Sequence, residues 1–185
     1  MKKILIAAML VLGFGRVESQ TPKGSVLIKN ATVLTVTKGT LENTDVLVEN
    51  GIIKKVGKNL QAANIQIIDA SGKYLMPGII DAHSHVALDA VNEATSPITA
   101  EVRMTDVIDP YDIGIYRALA GGVTTSHALH GSANAIGGQS VTLKHRYGTR
   151  NPNDLVMKEA PRTIKIALGE NPTRVHGRGN GIQPR

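Results

Sequence analysis

Hydrophobic and polar positions alternate in short runs from Ser25 to Lys73, whereas residues 4–12 form one continuous apolar run. Alternation at a period of two marks half-buried strands. Val26 and Ile28, then Val33 and Thr35, predict a short hairpin-like pair around Lys29-Asn30. Residues 45–49 and 52–56 flank Asn50-Gly51, a dipeptide that accepts the positive φ angles of a two-residue hairpin turn. Residues 65–69 predict another short strand, closed by Ala70-Ser71-Gly72-Lys73. No residue of this segment has an evident chemical task, so its expected role is structural.

The rhythm changes at Leu75-Met76-Pro77-Gly78-Ile79-Ile80-Asp81-Ala82-His83-Ser84-His85-Val86. Pro77-Gly78 punctuates, and the apolar run with β-branched residues reads as a buried strand. Strand alternation puts Asp81, His83 and His85 on one face. Two imidazoles two residues apart on a rigid strand can reach one metal ion. They stand at the strand's C-terminal end, where parallel α/β folds place their active sites.

A polar stretch, residues 89–109, then shows little periodicity and reads as a long loop, either a pocket wall or a surface excursion. Residues 110–120 predict a helix, with Asp109 as N-cap, Pro110 in the first position and Gly121-Gly122 as the stop. Residues 123–127 predict a second strand, and strand, helix, strand in this order suits a βαβ unit. The small-residue segment from Gly131 to Gln139 has two readings. It is a flexible turn, or a wall where backbone N–H groups approach a ligand. The second makes Asn134, Gly137, Gly138 and Gln139 candidates to line a substrate pocket. It is not a phosphate loop, because no Gly-Lys-Ser/Thr follows. Residues 139–145 predict a third strand and residues 162–169 a fourth. Lys165 falls mid-strand with Ala167 and Gly169 on its face, and Glu170 falls at that strand's end.

The composition is that of an ordinary globular protein, 42% hydrophobic and 19% charged. One Phe, four Tyr and no Trp argue against base or sugar stacking as the main business. The net charge is +6; residues 1–19 hold three basic residues and one acidic, so without them it is +4. The remaining basic residues are scattered, which describes a solvated surface and no nucleic-acid partner. Lys2-Lys3, the apolar run and the small Val17 and Ser19 have the anatomy of a secretory signal over residues 1–19, leaving Gln20 first in the mature chain. The run is too short to span a bilayer. A secreted or periplasmic location is therefore expected, with no further membrane attachment. The absence of Cys removes disulfides, lipid attachment and thiolate chemistry.

PGIIDAHSH resembles the first barrel strand of the amidohydrolase superfamily. VLIKNATVLT, DVLVENGIIKKVG and IIDASGKYLMPG resemble the small β-domain that precedes the barrel in many members. GGVTT, GSANAIGGQSV and IKIALGENP resemble the imidazolonepropionase-like branch. The resemblance implies an α/β chain: a signal peptide (1–19), a partial small β-sandwich domain (20–76), and the first three to four βα units of a (β/α)8 TIM-like barrel (77–185). Only 108 residues follow Pro77, and a whole barrel takes about 250. The expectation is thus an N-terminal fragment, inactive alone, whose partner is the remaining half of the barrel. The resemblance further implies one or two divalent ions, foremost zinc, held by His83 and His85. It also implies a bridging group on the fourth strand, either a carboxylated Lys165 or its rival Glu170. It places no ligand at His127 or His130. The implied reaction is hydrolysis of a C–N bond, in an amide or cyclic amide, of a small-molecule substrate by metal-activated water. A deaminase-type hydrolase and a non-catalytic binding scaffold are the alternatives. The general-base aspartate is expected beyond this chain, and a homo-oligomer is left open.

Overall fold

The computed structural model describes residues 24–177. The expected export signal, residues 1–19, lies outside the described residues. The chain divides into two compact units between Pro77 and Gly78.

The first unit is one five-stranded mixed sheet, built from β1 (Val26–Leu34), β2 (Thr40–Glu49), β3 (Ile52–Gly57), β4 (Gln66–Asp69) and β5 (Tyr74–Leu75). Its order is β3-β2-β1-β4, with β5 also pairing β1. Asn50 (φ 53°) and Gly51 (φ 77°) make the β2–β3 turn, as their sequence predicts. The hairpin expected around Lys29-Asn30 is absent. Residues 26–34 form one strand, because both halves pair antiparallel with β2, from Val26 opposite Val48 to Leu34 opposite Thr40. Asn30 (φ 62°) sits in a bulge between them. Its N–H donates to Asp45 Oδ1 at 2.9 Å, and the Leu60 N–H donates to Asp45 Oδ2 at 2.9 Å. A buried carboxylate of β2 thus holds both the β1 bulge and the loop at Leu60. Ala31, Val33, Val46 and Ala70 form the core. Among the described residues this unit is one sheet rather than two facing sheets.

In the second unit, β6 (Ile79–Ser84) pairs parallel with β7 (Val123–Ala128), with α1 (Ile113–Ala120) between them in sequence. The helix begins three residues later than its sequence predicts. Asp112, not Asp109, is its cap: Asp112 Oδ1 accepts from the Gly114 N–H at 2.7 Å, while Oδ2 accepts from the Ala87 N–H at 2.7 Å. Asp109 instead accepts from the Tyr111 N–H in a turn that precedes the helix. Gly121 and Gly122 end the helix as expected.

The expected third strand is broken at Ser140 into β8 (Ile136–Gln139) and β9 (Val141–Lys144). β9 runs antiparallel to β7, from Thr125 opposite Lys144 to Ala128 opposite Val141. The expected fourth strand shortens to β10 (Ile164–Ile166), antiparallel to β8, and is followed by α2 (Glu170–His176). β9 therefore runs against the parallel β6–β7 pair rather than with it. The alternation of residues 139–145 is right for a strand but cannot report its direction. Ala87, Met104, Ile108, Ile115, Ala128, Val141, Leu143 and Leu155 make the core. Met104 and Ile108 come from the polar stretch 89–109, which is packed rather than a surface excursion. Among the described residues no helix is long and apolar enough to cross a membrane.

Candidate metal centre

β6 ends at Ser84, so His83 lies in the strand and His85 is the residue just past its end. The rings of His83 and His85 meet edge to face, centroids 5.7 Å apart. His85 Nδ1 lies 2.8 Å from the Leu129 carbonyl. A carbonyl only accepts, so Nδ1 carries the proton and Nε2 keeps its lone pair for a ligand. Second bonds of this kind orient metal-binding imidazoles. The chain thus prepares one imidazole as a donor before any ion arrives. Asp81 turns its carboxylate onto the His83 backbone N–H at 3.1 Å, which braces the strand at the first histidine.

From β10, Lys165 brings Nζ to 3.4 Å from His83 Nε2. The two residues are 82 apart in sequence, so only the fold joins them. Lys165 is half-buried, whereas Glu170 is exposed and opens α2. Between the two rival bridge residues, it is Lys165 that contacts a histidine. Among the described residues, no three His, Cys, Asp or Glu side chains gather in one cluster. No carboxylate among them is hydrogen-bonded to either imidazole ring. Two imidazoles offer nitrogen donors suited to zinc or a similar ion, but fall short of the three protein ligands a catalytic zinc normally keeps.

The segment from Gly131 to Gln139 is different from the pocket wall expected. Asn134 is fully buried. Its Nδ2 donates to the carbonyls of Glu93 at 2.6 Å and Ser96 at 2.7 Å, and lies 3.0 Å from Thr99 Oγ1. It therefore staples the 93–99 loop and has no donor left for a substrate. Gly137 and Gly138 are buried strand residues. A Cβ on Gly137 would lie 2.6 Å from His130 Nδ1, and one on Gly138 would lie 2.9 Å from the Val102 carbonyl. Both are small because the neighbouring chain is close. Gln139 alone stays exposed, in a polar depression with Arg103, Thr105 and Arg162. Its amide donates to the Ala100 carbonyl.

Three further histidines, His127, His130 and His145, are held by protein groups. Buried His130 accepts from the Glu93 N–H at Nε2 and donates from Nδ1 to the Gly131 carbonyl. His145 donates from Nδ1 to the Val123 carbonyl, with Ser126 Oγ 2.9 Å from its Nε2. His127 lies between Thr142 Oγ1 (3.1 Å from Nδ1) and Thr163 Oγ1 (2.9 Å from Nε2). Apart from His130 to Gly131, each of these pairings joins residues 15 or more apart, so no local pattern announces it.

Comparison with family models finds no match. Individual proteins do match. The amidohydrolase tasK of Hapsidospora irregularis is 38% identical over 154 residues, covering 72% of this chain and 16% of that protein. Dihydropyrimidinase of Dictyostelium discoideum is 40% identical over 102 residues, covering 55% of this chain and 18% of that protein. The crystal structure of an amidohydrolase from Thermotoga maritima MSB8 superposes with a TM-score of 0.75 at 43% identity, covering 82% of this chain and 41% of that one. The chain therefore spans less than half the length of each of these proteins. A superposition over 82% of the chain, with a TM-score of 0.75 at 43% identity, carries the assignment: the chain belongs to the amidohydrolase superfamily.

Proposed function

We propose that this chain forms the opening part of a metal-dependent hydrolase that cleaves C–N bonds in an amide or cyclic amide. The observation that carries the reading is the convergence of His83, His85 and Lys165, from two elements distant in sequence, with His85 Nδ1 already committed to the Leu129 carbonyl. His85 would donate through Nε2, and His83 would complete the imidazole pair. When bound, one or two divalent ions, zinc foremost, supply Lewis acidity and a water acidified towards a pKa of ~7.

Lys165 is the proposed bridge after carboxylation. Its neutral amine forms an N–C bond to carbon dioxide, one C–O π pair moves onto oxygen, and the Nζ proton leaves to solvent. The new group is an anionic oxygen donor, which a half-buried lysine beside two imidazoles otherwise lacks. The general base and the remaining ligands are assigned to chain beyond these residues, so the chain alone should not turn over. The imidazolonepropionase-like branch, a second sheet completing the first unit, and export with a mature start at Gln20 belong to the same proposal.

Zinc titration of the purified chain tests it. Wild type should bind zinc weakly, and His83→Ala/His85→Ala should weaken binding by at least about tenfold, the scale expected for altering a metal shell. Equal zinc affinity in the double variant would remove the site. Zinc binding without amide hydrolysis in a longer chain, but with ammonia release from an amine-bearing ring, would favour a deaminase-type reaction.

A further inference from the structure

Lys165 has to be brought to His83 by something other than a strand ladder. β6, β7 and β9 form one sheet and β8 and β10 another, and no ladder among the described residues joins β10 to β6 or β7. Two side-chain bonds cross instead. Lys165 reaches His83, and Thr163 Oγ1 reaches His127 Nε2 at 2.9 Å. Residues 163 and 165 are two apart in extended chain, so both side chains leave on one side.

His127 is itself fixed on its other edge. Thr142 Oγ1 lies 3.1 Å from Nδ1, and Thr142 is the residue directly opposite His127 in the β7–β9 ladder. The ring cannot swing without losing a bond at one nitrogen or the other. It therefore presents Nε2 to Thr163 at a set height on β7. The backbone bond from the Ser140 N–H to the Thr163 carbonyl, 3.0 Å, holds the same residue from behind.

We infer that His127, through Thr163, is a positioning residue that sets β10 so that Lys165 faces His83. The inference rests on the metal-site reading for its functional meaning, but not for its geometry. A lysine side chain has four rotatable bonds and samples many positions at similar energy. Anchoring the backbone two residues away narrows where its amine can lie. A bridge between two ions tolerates little misplacement, so supporting residues decide whether it forms.

The experiment is 15N imidazole NMR of the labelled 185-residue chain. Lys165→Met defines the His83 Nε2 resonance when the amine is gone. Thr163→Val keeps the side-chain shape and removes the hydroxyl, and it should move His83 most of the way to that position, as should His127→Phe. Thr163→Ser restores a hydroxyl and should return the resonance to its wild-type place. An unmoved His83 signal in a folded Thr163→Val chain overturns the positioning role. Zinc added to wild type reports separately on the metal reading. If the His83 and His85 resonances ignore zinc, that reading falls, while the Thr163 comparison still decides the positioning.

Discussion

Replacing Asn134 by Asp exchanges a donor for an acceptor at a fully buried site. In the native chain, Nδ2 lies 2.6 and 2.7 Å from the carbonyls of Glu93 and Ser96. Asn134→Ala leaves those two carbonyls without their donor, at about 1–3 kcal/mol each, so about 2–6 kcal/mol in all. Asn134→Asp costs more at neutral pH, because a carboxylate oxygen then faces two carbonyl oxygens away from water. Protonated, the same acid has one O–H to offer and recovers one of the two bonds. The folded state thus favours the neutral acid and raises its pKa. Stability so contributed is present below the unfolded value of about 3.9 and lost as pH rises through the folded value. Urea unfolding at pH 7 and at pH 4.5 measures this. Asn134→Asp should be the least stable variant at pH 7 and should gain on Asn134→Ala at the lower pH. Amide exchange over residues 93–99 should accelerate in both. An unchanged unfolding midpoint at pH 7 would refute the staple and return Asn134 to a substrate-facing role.

Gly137→Ala should cost about 1–3 kcal/mol, because the new methyl meets a His130 ring fixed at both nitrogens and unable to retreat; a thermal midpoint equal to wild type would contradict this. Asp45→Ala strips two backbone N–H groups of their buried acceptor and should cost about 2–4 kcal/mol. Loss of exchange protection at Asn30 and Leu60 is the specific readout. The Ser71 hydroxyl, then the Asn30 amide, holds the Asp69 carboxyl below the ordinary 3.8. A lowered folded value stabilises the first unit above pH 3.8 and loses that contribution as pH falls through it. Carboxyl 13C titration should find Asp69 low in wild type and nearer 3.8 in Ser71→Ala.

What the sequence determined by itself was local. Asn50-Gly51 forces a turn because few other residue pairs accept two positive φ angles in succession. Gly121-Gly122 ends α1 because glycine releases a helix C-terminus without steric penalty. His83 and His85 lie two apart at the end of β6, and the two-residue period of extended chain brings their rings together. The tertiary structure decided what depends on a distant partner. Periodicity marks residues 139–145 as extended, but the run is divided at Ser140, with β8 pairing β10 and β9 pairing β7 antiparallel, and only the partner strand sets that direction. Residues 26–34 form one strand that the sequence alone splits in two, because a bulge and a turn look alike until the partner strand is known. Asn134 and Lys165 show the same limit at the site. One amide finds carbonyls 38 and 41 residues away, and one amine finds an imidazole 82 residues away. A side chain's type states which bonds it can make, and only the folded chain determines which groups are within reach.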